Sequence, residues 1–193
     1  MPLMSDAIRL PSYGQRVFGR AADGREVRAA VFDERQARAA AGITMVVGAV
    51  AFAYAYFDKR YAPLQAVTAF FLVEFLVRVT LGLRWSPVGV VARAVTSRGR
   101  PEWVSARPKR FAWTLGLVMA AAMTFITNSG IRGALPRTIC LLCLTLMWLE
   151  SVLGFCVGCE IAGVLVRCGW RRDDPDYALC AASGCELHPV EPC

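Results

Sequence analysis

The sequence predicts an all-α membrane protein in which four transmembrane helices form two parallel-repeat helical hairpins. A polar N-terminal segment precedes the hairpins and a Cys-rich C-terminal tail follows them. The chain has 193 residues, 56% of them hydrophobic, and a mean hydropathy of +0.43. A bilayer-spanning helix needs about 17–25 mostly apolar residues, and four stretches reach that length: 39–57, 62–83, 111–127 and 138–166.

These stretches divide the chain into five parts. We expect a cytoplasmic N-terminal segment (1–32), a first transmembrane hairpin (33–83), a cytoplasmic basic loop that can carry an interfacial helix (84–104), a second hairpin with a CxxC pair (105–166), and a cytoplasmic Cys-rich tail (167–193). The first 38 residues contain no apolar core followed by a small-residue cleavage site, so no cleavable signal peptide is predicted.

The basic residues indicate orientation rather than nucleic-acid binding. Lys and Arg number 7 before the first stretch, 7 in the loop 84–110 and 3 after the last stretch, against 2 in each of the other two loops. Lys and Arg are enriched in cytoplasmic loops. The distribution predicts a multi-pass membrane protein with both termini in the cytoplasm, whose basic loops contact anionic lipids.

The two hairpins look duplicated. Asp33 and Ser105, both good N-cap residues, open matching segments at an offset of 72, and Glu74 matches Glu150 at an offset of 76. Parallel repeats related by an axis along the membrane normal occur in some transporters. The alternative is chance similarity, because Arg, Ala and Leu recur in such chains.

The most informative motif is the pair Cys156 and Cys159, flanked by Gly154 and Gly158. Residues three apart on a helix share a face, so these thiols can form a disulfide or bind a soft metal ion. The glycines allow another backbone or a small ligand to approach closely. The alternative is that small residues simply pack helices together here.

The first repeat has Thr80 and Leu83 where the second has Cys156 and Cys159. The fold therefore does not require cysteine at these positions, which favours a special use in the second copy. We expect Cys156 to be the nucleophile, because Glu160 follows Cys159 and its charge disfavours a neighbouring thiolate.

A second CxxC pair, Cys140 and Cys143, lies near the start of the same apolar stretch. If 138–166 is one straight helix, Cys140 and Cys159 are about 28 Å apart at about 1.5 Å per residue. The two pairs then lie near opposite faces of the membrane and cannot form one site. Leu141 and Leu142 also make the first pair resemble ordinary apolar helix.

Glu74 and Glu150 lie deep inside the apolar stretches, where an ionised group is costly. Glu74 is followed by Arg78 at i+4, an orientation that favours a structural ion pair. Glu150 has no cation at i±3 or i±4. It is therefore protonated, paired across the bundle with Arg78, or part of a proton or cation route, and we count it among the candidate catalytic residues.

The tail supplies further soft ligands. Cys180, Cys185 and His188, together with Cys156 and Cys159, contain enough thiolate and imidazole groups for a metal site. The spacing is not that of a standard site. Zinc, an iron–sulfur cluster and no cofactor at all are equally compatible with it.

Several familiar signals are absent from the sequence. It has no phosphate loop, no dinucleotide glycine fingerprint and no nucleophile elbow. The single histidine argues against haem held by two histidines. Hydrolytic enzymes of conventional type are therefore not predicted.

The segment from Glu150 to Cys159, with its Phe-Cys-x-Gly-Cys element at 155–159, resembles the bacterial integral-membrane family known as domain of unknown function 4395. The resemblance covers about residues 33–166 and includes the start of the third stretch at Arg110 and the Ser86–Pro87 step. That family has no established activity. Its members are often small four-helix membrane proteins, sometimes associated with thioredoxin-like or sulfur-transfer proteins, which implies thiol chemistry at Cys156 and Cys159. The Cys-rich tail is not part of the family pattern.

Three functions are compatible with these features. The first is an inner-membrane thiol protein that exchanges electrons or sulfane sulfur through its CxxC with a soluble partner. The second is a non-enzymatic accessory subunit of a larger membrane complex. The third is a transporter for a thiophilic metal or a small sulfur species. Whether the protein is an enzyme is left open by the sequence.

Overall fold

The computed structural model describes residues 13–20, 26–99, 101–170 and 188–189. In these ranges the chain forms six α-helices and one four-stranded sheet. The helices are α1 (Glu34–Phe57), α2 (Ala62–Thr80), α3 (Pro87–Thr96), α4 (Ala106–Asn128), α5 (Ala134–Leu153) and α6 (Val157–Arg167). The strands are β1 (Gln15–Arg20), β2 (Glu26–Asp33), β3 (Trp103–Ser105) and β4 (His188–Pro189).

Four of the helices, α1, α2, α4 and α5, are long and apolar enough to span a membrane. Many large apolar side chains on their outer faces are exposed, among them Val46, Val73 and Phe125. A surface of this kind suits lipid rather than water. The predicted fold class, a helical protein with four membrane-spanning helices, is therefore confirmed.

The packing of the helices repeats between the two halves of the chain. In the bundle α1 packs on α5 and α2, while α4 packs on α2 and, more loosely, on α5. The short helix of each half packs on the first long helix of the same half, α3 on α1 and α6 on α4. If α1, α2 and α3 are exchanged with α4, α5 and α6, the pairs of helices named above are again in contact, as expected for two copies of one hairpin unit.

An antiparallel sheet, ordered β3-β2-β1-β4, joins the entrances of the two hairpins. β2 runs directly into α1 and β3 directly into α4, with Asp33 opposite Trp103 and Val31 opposite Ser105. The Asp33 carboxylate accepts hydrogen bonds from the backbone N–H groups of Arg35 (3.0 Å) and Glu102 (3.2 Å). No strands were predicted here. The β2–β3 pairing joins residues about 70 apart in the chain and leaves no local pattern, and the β1–β2 hairpin lies in a segment interpreted only as polar and rich in Arg.

The sequence predicted one continuous helix over the apolar stretch 138–166, but the structure has two helices there. α5 ends at Gly154, whose φ of +68° is left-handed, and α6 starts after Cys156. Glycine is the usual residue at such a helix end because it has no Cβ to strain. The N–H of Phe155 turns back to the carbonyl of Leu149 (3.0 Å), and Arg38 Nη2 donates to the carbonyl of Val152 (3.2 Å). The carbonyls freed at the end of α5 thus find partners, and the chain re-enters a helix in a new direction.

The basic loop contains α3, which lies where the interfacial helix was predicted. Ser86 caps α3 by accepting a hydrogen bond from the backbone N–H of Gly89 at 3.0 Å, and Pro87 occupies the first helical position. Ala92 is buried against the bundle, whereas Val95 is exposed. The helix therefore presents one apolar face to the protein and another outward.

Candidate functional site

The predicted dithiol lies at the end of the bundle that carries the sheet. α1 and α4 begin at this end, α5 finishes there, and Cys156 is the N-cap residue of α6. Cys156 and Cys159 are free thiols, both half-buried. We call the group formed by Cys156, Cys159, Lys109 and Glu150 the dithiol site.

The local backbone places Cys156 at the N-terminus of α6. Its backbone is extended (φ −92°, ψ 98°), and its carbonyl accepts the N–H of Cys159 at 2.9 Å. The N–H groups of a first helical turn have no partner within the helix, and together they carry about half a positive charge. A thiolate at this position is stabilised in the same way as an anion at a helix N-terminus.

The two thiols differ in acidity. The pKa of Cys156 is lowered, chiefly because the thiol of Cys159 donates a hydrogen bond to its sulfur, with further help from the Lys109 ammonium and the Cys159 backbone N–H. The same hydrogen bond, together with burial, raises the pKa of Cys159. These directions make Cys156 the more acidic thiol of the pair, and its role as the nucleophile stays a prediction.

Lys109 on α4 is the residue of this site that the sequence did not single out. Its side chain is almost fully buried, and its Nζ lies 3.0 Å from Glu150 Oε1 and 2.9 Å from Glu34 Oε2. Glu150 was expected to be protonated, paired with Arg78, or part of an ion route. The structure gives its carboxylate a direct partner in Lys109 instead. The arrangement ties the starts of α1 and α4 to the end of α5 beside the thiols.

The other intramembrane carboxylate forms a separate buried pair. Arg78 Nε donates to Glu74 Oε1 at 2.8 Å, and Arg78 Nη2 donates to Thr44 Oγ1 at 3.2 Å. The second carboxylate oxygen of Glu74 accepts the backbone N–H of Val88 at 3.2 Å. Glu74 thus links α2 to the first turn of α3, which is a structural role.

The first half of the chain contains a counterpart of the dithiol site. Ser86 caps α3 through the N–H of Gly89, three residues on, just as Cys156 precedes α6 with Cys159 three residues on. The structural counterparts of the cysteines are therefore Ser86 and Gly89. The positions Thr80 and Leu83, which the sequence alignment had matched to them, belong to the end of α2 and the 3₁₀ turn that follows.

Gly158 allows α6 to lie directly on α4. A Cβ added at this position would come within 2.6 Å of the Cα of Ala112, a backbone atom that cannot move aside alone. Such a contact is shorter than any real Cβ contact, so α6 would have to move. The glycine therefore sets the distance between the dithiol and the helix that carries Lys109.

The substitution Gly158→Ala is expected to destabilise the protein by about 1–3 kcal/mol, as overpacking does. Gly163→Ala is the matched control, because Gly163 lies on the same helix with nothing within 4 Å of an added Cβ. That control should be neutral or slightly stabilising, since alanine favours helix. Thermal unfolding in detergent measures both variants, and equal effects would contradict the close α4–α6 contact.

The second cysteine pair, Cys140 and Cys143, lies in the first half of α5, and Cys140 is buried. Because the apolar stretch bends at Gly154, the two pairs are not spaced along a single straight rod. Cys140, Cys143 and Cys156 all border one cavity of about 210 Å³ between the helices. Cys140 and Cys143 lie in the first half of α5 and Cys156 lies beyond its end, so the prediction that the two pairs do not form one site is unchanged.

Only some residues of the predicted metal site lie in the ranges that the structure describes. In the ranges that the structure describes, no group of three or more His, Cys, Asp or Glu side chains is placed to hold a metal ion. Cys180 and Cys185 lie outside those ranges, and His188 is described only as a backbone position in β4, opposite Phe18 of β1. A ligand set completed by the tail therefore stays a prediction.

Comparison with known proteins places the chain in a family. The family model described as Domain of unknown function (DUF4395) matches residues 32–167. The chain belongs to this family. Its DUF4395 region begins at the end of β2, contains every one of the helices α1–α6, and stops where α6 ends. Searches of curated proteins and of solved structures found no match.

Proposed function

We propose that this protein is a membrane thiol protein that exchanges electrons or sulfane sulfur with a soluble partner through Cys156 and Cys159. The observation that carries the proposal is the position of Cys156 as the N-cap residue of α6, with Cys159 one turn further on. A first thiol of a Cys-x-x-Cys motif at a helix N-terminus has a lowered pKa, which favours thiol–disulfide exchange.

The exchange follows from the order of the two thiols. The Cys156 thiolate attacks one sulfur of the partner's disulfide, forming a mixed disulfide and releasing the partner's other sulfur as a thiolate. Cys159 then loses its proton and attacks the Sγ of Cys156. An intramolecular disulfide forms and the partner leaves as a dithiol. With a persulfide donor, the Cys156 thiolate instead takes the outer sulfur atom and the donor leaves as a thiolate.

The charged residues of the site act on the exchange through the acidity of Cys156. The Lys109 ammonium favours the thiolate form of Cys156, whereas the Glu150 carboxylate disfavours it. Glu150 is also the carboxylate of the site that can take up the proton of Cys159 in the second step. The ion pair between Lys109 and Glu150 (3.0 Å) holds both groups beside the thiols.

The location we propose is the bacterial inner membrane, with both termini and the dithiol site on the cytoplasmic side. The asymmetry of basic residues supports this orientation. The sheet and the starts of α1 and α4 lie at the same end as Cys156. A cytoplasmic thioredoxin-like or sulfur-transfer protein could then reach the dithiol, and membrane lipids would surround the helices.

Trapping of a mixed disulfide tests the proposal. Cys159→Ser removes the resolving thiol of this protein. Incubation with a thioredoxin variant whose second cysteine is serine, and whose remaining cysteine carries thionitrobenzoate, should then leave a stable mixed disulfide at Cys156 and release thionitrobenzoate. Cys156→Ser should trap at least tenfold less, and Cys143→Ser is a control that should behave as wild type. Mass spectrometry of the cross-linked peptide identifies the cysteine. Trapping that is equal in the Cys156 and Cys159 variants, or absent from both, would overturn the proposal.

A second candidate, transport of a thiophilic cation, is favoured by the sulfur atoms along the cavity. Besides Cys140, Cys143 and Cys156, its wall includes three thioethers, those of Met119, Met123 and Met147. Soft ligands of this kind select monovalent copper and similar ions. Vesicles containing the protein would then have to take up such an ion, which the dithiol proposal does not require.

A further inference from the structure

A largely apolar cavity extends from the dithiol site into the bundle. All four spanning helices and α6 contribute to its wall, mostly through apolar and aromatic side chains such as Phe71, Phe75, Leu144 and Ile161. Cys156, Glu150 and Arg78 border it at the dithiol end, and Cys140 borders it further along α5. Cys156 of the dithiol therefore borders an apolar space inside the bundle.

The dimensions of the cavity suit a lipid-soluble molecule. Glu150 and Cys140 are ten residues apart on α5, about 15 Å at about 1.5 Å per residue. That is roughly half of the hydrocarbon thickness of a bilayer. A long, mostly apolar space whose charged groups, Glu150 and Arg78, lie at one end fits a ligand with a polar head and an apolar tail.

The weakest contact between neighbouring spanning helices lies beside this space. α4 packs tightly on α2 and α6, and α5 packs tightly on α1, whereas α4 and α5 touch each other only sparsely. Met119 and Gly116 of α4 and Leu146 and Met147 of α5 all border the cavity. The seam between α4 and α5 is therefore the loosest side wall of the bundle.

We propose that this cavity binds a lipid-soluble quinone, which exchanges two electrons with the Cys156–Cys159 dithiol. The inference rests on the proposed function and names its membrane-side partner. A quinone fits because its carbonyl-bearing ring is polar and its isoprenoid tail is apolar. It also completes a redox cycle. The exchange described above, run in reverse, lets a reduced soluble partner convert the Cys156–Cys159 disulfide to the dithiol, and the quinone then accepts those two electrons.

The step balances in atoms and electrons. The Cys156 thiolate adds to a ring carbon of the quinone, and a carbonyl oxygen of the quinone takes up a proton. Cys159 gives up its proton and attacks the Sγ of Cys156, which breaks the carbon–sulfur bond and returns its electron pair to the ring. The dithiol becomes a disulfide, having lost two electrons and two protons, and the quinone becomes a hydroquinone, having gained them.

The test uses the full chain, reduced and then freed of reductant, in nanodiscs under anaerobic conditions. Decylubiquinone, a short-tailed benzoquinone, is the probe, and diamide, a water-soluble thiol oxidant, is the reference. We expect one hydroquinone, detected by its absorbance change, for each Cys156–Cys159 disulfide found by mass spectrometry. Diamide should form the same disulfide without needing the cavity.

Two tryptophan substitutions on α5 separate access to the cavity from the reactivity of the thiols. Leu144 borders the cavity, whereas Leu142 faces outward and is exposed. Leu144→Trp should slow oxidation by decylubiquinone at least tenfold, and Leu142→Trp should leave it within twofold of wild type. Oxidation by diamide at the wild-type rate in both variants shows that the dithiol site is intact.

The outcomes distinguish the two proposals. Disulfide formation with diamide but not with decylubiquinone would overturn the quinone proposal and leave the dithiol proposal standing. Equal slowing by both tryptophan variants, or by neither, would also overturn the quinone site. If neither oxidant forms the Cys156–Cys159 disulfide in the wild-type protein, the proposed function itself fails.

Discussion

Replacing Lys109 with glutamine is expected to slow the alkylation of Cys156 at pH 7 about tenfold. The Lys109 ammonium is one of the groups that lower the pKa of Cys156, and only the thiolate reacts. Removing the ammonium therefore lowers the thiolate fraction at pH 7, and a tenfold fall in that fraction corresponds to about 1.4 kcal/mol. The rate is measured for each cysteine by mass spectrometry after timed exposure to iodoacetamide.

The matched variant Glu150→Gln should have the opposite effect. The Glu150 carboxylate raises the pKa of Cys156, so its neutral isostere should increase the thiolate fraction at pH 7 and speed alkylation. Lys109→Arg keeps the positive charge and should stay close to wild type. Unfolding curves in detergent establish that each variant is folded. If the glutamine variants at 109 and 150 both speed alkylation, loosening of the bundle rather than electrostatics controls Cys156.

Replacing Arg78 with methionine is expected to destabilise the protein by about 3 kcal/mol or more. Glu74 is fully buried and Arg78 nearly so, and their side chains meet at 2.8 Å. Removing one member of a buried ion pair leaves the other charge without compensation, which typically costs about 3–5 kcal/mol. Thermal or denaturant unfolding in detergent measures the loss.

A double variant measures the interaction between Glu74 and Arg78 apart from their contacts with other residues. Glu74→Gln combined with Arg78→Met removes both charges, so it should lose less stability than the sum of the single variants. Arg93→Met, at an exposed position of α3, is the control and should change stability by no more than about 0.5 kcal/mol. Additive losses in the double variant would show that Glu74 and Arg78 do not stabilise each other.

The sequence predicted the membrane-spanning helices because their signal is local. α1, α2 and α4 lie within a few residues of the apolar stretches, since long apolar runs set helix length directly. The end of α5 was missed because Leu153 and Phe155 are apolar on both sides of the break, so hydropathy continues across it. The signal that was present is Gly154, the residue type that most often ends a helix in a left-handed conformation.

The dithiol site was predicted only in part. The cysteines and Glu150 stood out because they are unusual in an apolar stretch. Lys109 did not stand out, because the basic cluster that contains it was already explained by the orientation of the protein in the membrane. Its partners Glu150 and Glu34 are also 41 and 75 residues away in the chain. Pairings over such distances depend on how the helices pack, and a single sequence does not contain that information.

The measurement that tests the central claim most directly is the pH dependence of Cys156 alkylation in the wild-type protein. If Cys156 is the thiolate at the start of α6, its rate should reach half of its maximum at a pH below the ordinary thiol value of about 8.5–9. Cys159 should stay unreactive to higher pH, because its pKa is raised. A Cys156 rate that rises only above pH 9, or in step with Cys159, would contradict a stabilised thiolate and with it the proposed exchange chemistry.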